Sequence, residues 1–238
     1  MLLACGAIGP PLFIAVFLIE GGISAIRPPG YNALRHPVST FAIGDFGWLQ
    51  TVNFLVTGLL LLGFAMGVRL VLRRHHGGIW APVLIGLIAV GLIGAGVFTA
   101  DPLSGYPPGT PAVPEGAART VHGAMHDAFS ALFFLGLPAA CSVVGYRFAR
   151  AGHRRWARYS IGTAAVFVAG FILAAVGFAQ NPAFVSIGGL LQRLTVIVGL
   201  TWMTALALHL IRADRQPPPG SDTPGSSTSV LPQHHTTP

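Results

Sequence analysis

Six apolar runs govern what this chain can become. They fall at roughly 2–20, 48–71, 80–100, 122–146, 159–179 and 188–211. A bilayer core about 30 Å thick is crossed by about 20 helical residues, and each run reaches that length. In lipid every backbone N–H and C=O must be satisfied within the segment or by a closed barrel, so runs of this length are expected as helices. Residues that end helices stand between them. Arg27-Pro28-Pro29-Gly30 follows the first run, Arg73-Arg74-His75-His76-Gly77-Gly78 the second, and Asp101-Pro102 the third. The expected fold class is therefore all-α: a polytopic membrane protein, a bundle of about six transmembrane helices over residues 1–211.

Composition supports this at the one point where it is needed. Only 9% of the 238 residues are charged and the mean hydropathy is +0.67, whereas a soluble domain carries about 25% charged residues to face water. Most of the outer surface must then be solvated by lipid. The net charge of +7 does not point to nucleic acid, because the arginines fall in short clusters between apolar runs rather than among exposed aromatics on one face. Cys5 and Cys141 both lie in apolar segments, so no disulfide framework is implied. The first run exceeds the about 7–15 apolar residues usual for a signal peptide, and it is read as a retained crossing.

Arginine also sets the orientation. Segments 69–79, 147–158 and 212–238 hold ten of the fourteen arginines, and the alternate side holds Arg27, Arg35, Arg119 and Arg193. The positive-inside rule places the arginine-rich side in the cytoplasm. The expectation is a multi-pass protein of the cell membrane with both termini cytoplasmic and with 21–47, 101–121 and 180–187 outside. The tail 212–238, rich in Pro, Ser, Thr and Gly, cannot bury enough apolar surface to offset its ordering entropy and is expected to be disordered. His234 and His235 there, like His75, His76 and His153 in arginine-rich loops, are expected to be solvated.

That orientation gathers the polar residues of the spans at one depth. Gln50, Asn53 and Thr57 share a face at the start of the second helix, with i, i+3, i+7 spacing. His122, His126 and Asp127 open the fourth helix, Gln192 and Arg193 open the sixth, and Asp101 ends the third. Charged groups near the bilayer face the bundle interior or a wet cavity. The expected site is an outward-facing polar pocket formed by His36, Ser39, Gln50, Asn53, Asp101, His122, His126, Asp127, Gln192 and Arg193.

Three readings of this set stand open. In the first it is structural: Arg193 pairs with Asp101 or Asp127, and the histidines bond loop carbonyls or cap the fourth helix. In the second, His122 and His126 at i, i+4 present two imidazoles to zinc and His36 supplies a third ligand. Asp101 or Asp127 would then orient a ligand or act as general base on bound water, giving a metal-dependent membrane hydrolase or lipid-modifying enzyme at the external interface. In the third the set is a non-catalytic pocket for a lipid headgroup, a small solute or a proton relay. Membrane lipids are the expected partners throughout. Gly63, Gly67, Gly86, Gly91, Gly94 and Gly96 are expected to let helices approach closely.

Taken in chain order, several motifs look familiar. They are Arg35-His36-Pro37-Val38-Ser39, Gly47-Trp48-Leu49-Gln50 with Asn53-Phe54, Phe98-Thr99-Ala100-Asp101-Pro102, Gly105-Tyr106-Pro107-Pro108-Gly109, His122-Gly123-Ala124-Met125-His126-Asp127 and Leu191-Gln192-Arg193. Over about residues 8–211 the chain resembles a bacterial membrane family catalogued as domain of unknown function 998. The resemblance implies a six-helix integral membrane protein. It implies no reaction and carries over no catalytic residue.

Overall fold

The computed structural model describes residues 1–74, 78–111 and 119–215. Six α-helices carry the fold: α1 (Leu2–Gly22), α2 (Gly47–Arg74), α3 (Trp80–Val97), α4 (Val121–Arg150), α5 (Arg154–Phe178) and α6 (Gly188–Arg215). A short 3₁₀ helix, Val38–Ile43, precedes α2. All six α-helices are long and apolar enough to cross a membrane, and at 1.5 Å rise per residue even α3, the shortest, spans about 27 Å.

The helix ends depart from the apolar runs where backbone and side-chain chemistry part company. α3 stops at Val97 because Phe98 is extended, with φ −101° and ψ 122°. Asp101 therefore lies in the following loop and not at a helix end. α4 carries Arg147 and Arg150 in its last turn, and α5 opens on Arg154 and Arg155. Arginine is a good helix former whose apolar stem lies along the helix while its guanidinium reaches water. Charge thus ends the apolar span without ending the helix. α6 likewise runs to Arg215, into the segment expected as tail. Residues 216–238, with His234 and His235, lie outside the described residues, as do His75 and His76.

Each helix packs chiefly on its chain neighbours, and α1 against α6 closes the ring. The α1–α2, α3–α4 and α5–α6 connections share one end, the loop end. Met1, Arg215 and the other two connections share the opposite, arginine-rich end. Side chains fill the centre of the ring: Leu61, Phe64, Ile85, Ile88, Leu137, Leu200, Trp202 and Met203 are fully buried. Trp202 satisfies its indole there by donating from Nε1 to Ser160 Oγ at 3.0 Å. The outer face reverses the pattern of a water-soluble protein, since Leu59, Met66, Leu135, Val166 and Ile172 are each more than half exposed. In water such a belt would drive association; in lipid it is the solvated surface. The chain is a multi-pass membrane protein.

Because lipid supplies no hydrophobic drive between helices, their association depends on close contact and polar bonds. Gly63 and Gly67 lie against Cys5 and the Leu2–Leu3 backbone of α1, so this glycine spacing serves packing inside the bundle. At the loop end polar side chains lace the three connections together. Arg35 donates from Nε to the Ser104 carbonyl and from Nη2 to Gln180 Oε1, both at 3.1 Å. Gln180 Nε2 in turn donates to Ser104 Oγ at 3.1 Å.

Candidate functional site

The polar residues at the loop end separate into two groups. The first is buried between α1, α2, α6 and the first loop. Gln50, Asn53 and Thr57 turn one face of α2 inward and are no more than 3% exposed. With the Gln50 amide turned so that its nitrogen meets the Glu20 carboxylate, it donates to the two oxygens at 3.0 and 3.1 Å. Glu20, in the last turn of α1, is itself buried. Asn53 Nδ2 donates to the Phe13 carbonyl at 3.2 Å.

Arg193 joins this group. Its Nη1 donates to the carbonyls of Ala33, His36 and Gly189 at 2.5, 2.9 and 3.1 Å, and its Nη2 donates to the Tyr31 hydroxyl at 2.5 Å. The expected pairing of Arg193 with Asp101 or Asp127 is therefore corrected: backbone carbonyls and a phenol take the guanidinium. The cause is the path of the first loop, which folds across the start of α6. Gly189 and Leu190 donate their N–H groups to the Arg35 and Leu34 carbonyls at 3.2 and 2.9 Å. Gly189 makes this approach possible, since a Cβ there would stand 2.6 Å from the Ala33 carbonyl oxygen.

Burial pushes the Tyr31 hydroxyl up to about 12; the Arg193 charge opposes the rise and Glu20 adds to it. Burial also holds the His36 imidazole below its ordinary value. A backbone hydrogen bond to Ser104 works against that lowering, and the charges of Arg35 and Arg193 reinforce it. His36 Nδ1 accepts the Asn32 N–H at 3.0 Å, and the ring lies 5.4 Å from that of Tyr106. His36 thus braces the loop as a neutral, half-stacked ring.

The second group surrounds a cavity of about 830 Å³ at the loop end. α4 supplies His126, Asp127, Ser130, Ala131 and Phe134, α5 supplies Phe171 and Phe178, and α6 supplies Gln192. Ser39 comes from the 3₁₀ helix, and Asp101, Arg119 and Thr120 come from the loops. The α4 residues recur at i, i+4, which keeps them on one helix face. α4 and α5 are joined at the arginine-rich end, and Phe134 stacks on Phe171 between them with centroids 4.7 Å apart. A smaller cavity of about 50 Å³ shares Ser39, Ser130, Phe134 and Gln192 and extends to Phe13, Phe54 and Val196 in the bundle core.

Several polar groups of the cavity are held by protein partners. Asp101 accepts from the Thr120 hydroxyl at 2.5 Å and from the Thr120 N–H at 3.0 Å. Thr120 Oγ1 accepts the Gly123 N–H at 2.9 Å and so caps α4. Asp127 and Arg119 form an ion pair at the mouth, both more than half exposed, where such a pair adds little stability. His126 places Nδ1 3.0 Å from the Ala95 carbonyl oxygen and 2.9 Å from that of Phe98. Carbonyls only accept, so Nδ1 carries a proton, and in that tautomer Nε2 presents a lone pair. Gln192 Oε1 accepts the Val38 N–H at 2.9 Å, which leaves its Nε2 as a donor.

The expected zinc ligands are not brought together. His36 lies in the buried group, His126 turns toward the end of α3, and His122 is exposed with its ring 5.6 Å from Phe98. Among the described residues no three His, Cys, Asp or Glu side chains stand close enough to share a metal ion. Spacing of i, i+4 places two imidazoles on one face, but the carbonyls left free at the end of α3 claim one of them.

Residues 7–209 match the family described as "Protein of unknown function (DUF998)". The chain belongs to this family. No curated protein and no solved structure matches it. Both polar groups lie inside the DUF998 region, so they are parts of the family's domain and not of an appended segment.

Several residues of the DUF998 site escaped sequence reasoning. Glu20 carried a usable signal as the lone charged residue in the first apolar run. Thr120 carried another, because a Thr just before a long apolar run is an N-cap pattern. Ser130, Phe171 and Phe178 carried none: in a lipid-facing helix a cavity-lining Phe looks like any other.

Proposed function

We propose that this DUF998 protein is a binding protein of the cell membrane whose cavity opens on the outer face and takes an amphiphilic ligand. The observation that carries this reading is the cavity of about 830 Å³ itself, with hydrogen-bonding groups at its mouth and Phe134, Phe171 and Phe178 in its walls. Ligand pockets generally enclose about 300–1,000 Å³ and combine apolar walls with a few placed polar groups. The arginine bias supports the orientation: the arginine-rich end, with both termini, faces the cytoplasm, and the loop end faces out. A membrane-derived amphiphile would reach such a site from the lipid itself, with its head at Asp101, His126 and Gln192 and its chain along the phenylalanines.

The test is lipid retention. The full chain and an Ala131→Trp variant, which fills the cavity from α4, are purified in parallel and their extracts compared by mass spectrometry. Wild type should retain a lipid species enriched over the bulk membrane, and the variant should lose it while keeping its melting behaviour. Equal retention by both proteins, or no enrichment in wild type, would sink the reading.

A further inference from the structure

We infer that the ligand of this cavity is a neutral lipid alcohol, a long-chain amphiphile whose head is an uncharged hydroxyl-bearing group such as glycerol. The inference rests on the binding reading above and adds the chemistry of the head. Two cavity side chains are locked by backbone partners behind them and present opposite hydrogen-bonding atoms. His126 is held through Nδ1 by the Ala95 and Phe98 carbonyls, and in the Nδ1–H tautomer this selects, the ring offers the Nε2 lone pair. Gln192 is held through Oε1 by the Val38 N–H, so it offers the Nε2 hydrogens. Among the described residues no protein group engages either of these two nitrogens, and neither is sealed from solvent. Both residues line the same cavity.

A fixed acceptor and a fixed donor together select a group that can both donate and accept. A hydroxyl is the smallest that does so, and a polyol head meets both sites with adjacent oxygens. Ser39 and Ser130, which also line the cavity, add rotatable hydroxyls of the same dual character. A phosphate head fits badly. Ionised phosphate oxygens chiefly accept, leaving His126 without a donor, and the charged lining residues are Asp101, Asp127 and Arg119, with Arg119 already tied to Asp127. That balance repels an anion. A quaternary ammonium head escapes the repulsion, yet it carries no hydrogen for His126 and no acceptor for Gln192.

The experiment uses the full wild-type chain in lipid nanodiscs and three probes with the same sixteen-carbon chain: monopalmitoylglycerol, hexadecyl phosphate, which has no alcohol hydroxyl, and palmitoylcholine. Competition is read by native mass spectrometry. Monopalmitoylglycerol should bind at least about tenfold more tightly than either charged probe, the weight of one well-made hydrogen bond. Gln192→Glu keeps an acceptor for the Val38 N–H but replaces the donor with an acceptor, and it should weaken the glycerol probe by about tenfold or more. If that variant does not fold, the wild-type competition decides alone. Equal or tighter binding of a charged probe, abolished by Ala131→Trp, overturns the alcohol assignment and leaves the binding reading standing. Failure of all three probes to bind, or binding that Ala131→Trp does not disturb, overturns both.

Discussion

Arg193 donates from Nη2 to the Tyr31 hydroxyl at 2.5 Å across a sequence separation of 162 residues. Its other terminal nitrogen serves three carbonyls. One buried guanidinium therefore ties the first loop to the last helix, and its desolvation is offset only while those acceptors stay in place. The planar fork suits this task, because several donors leave one centre in fixed directions.

Replacing Arg193 with Met leaves the carbonyls of Ala33 and His36 and the Tyr31 hydroxyl without their donor and should destabilise the protein by about 1–3 kcal/mol for each group left unpaired. Lysine at this position keeps the charge but not the fork and should recover only part of the loss. Thermal unfolding of the three proteins in one detergent checks this. A Met variant that melts with wild type contradicts the role given to Arg193.

Glycine substitutions should separate by what surrounds them. A Cβ at Gly189 meets the backbone of Ala33 and His36, which cannot swing aside as a side chain can. Gly189→Ala should cost about 1–3 kcal/mol through overpacking. A Cβ added at Gly86 would have nothing within 4 Å of it, and Gly86→Ala on α3 should be neutral or stabilise by up to about 1 kcal/mol through helix propensity. Melting points of the pair provide the comparison, and the reverse order would refute it.

Thr120 caps α4 and holds the Asp101 carboxylate. Thr120→Ala should cost about 1 kcal/mol and Thr120→Ser much less, since Ser keeps the capping oxygen. Hydrogen exchange should speed up in the first turn of α4 and not at its arginine-rich end. Uniform change along α4 would argue against a capping effect.

Burial lowers the pKa of His36 from its ordinary 6.5. As pH falls, the unfolded chain takes up this proton before the folded one does, so stability rises with pH across the interval between the two values. The contribution of His36 is fully present above pH 6.5 and is lost as pH falls through the depressed folded value. The gap in melting temperature between wild type and His36→Gln should shrink on moving from neutral to acidic buffer. A gap independent of pH would remove His36 from the account.

Orientation can be read with single cysteines in a Cys5→Ser, Cys141→Ser background, both natural cysteines being free thiols. Ser24→Cys at the loop end should react with an impermeant maleimide in intact cells, and His153→Cys at the arginine-rich end only after lysis. The opposite result would reverse the proposed topology.

By itself the sequence determined the six crossings, their helical state and the inward face of Gln50, Asn53 and Thr57. Span length, hydropathy and helical spacing are local properties, and lipid enforces them residue by residue. It also placed the candidate site residues, from His36 to Arg193, toward one end of the bundle. Tertiary structure alone decided their azimuth and their partners. His126 and His122 lie one turn apart on α4, yet the open carbonyls of Ala95 and Phe98 draw only His126 inward. Arg193 and Asp127 both stand near the starts of their helices, yet the first loop takes one and Arg119 the other. A hydrogen bond is made only at about 3 Å and in line, and that condition depends on how distant backbones are placed, which no local pattern encodes.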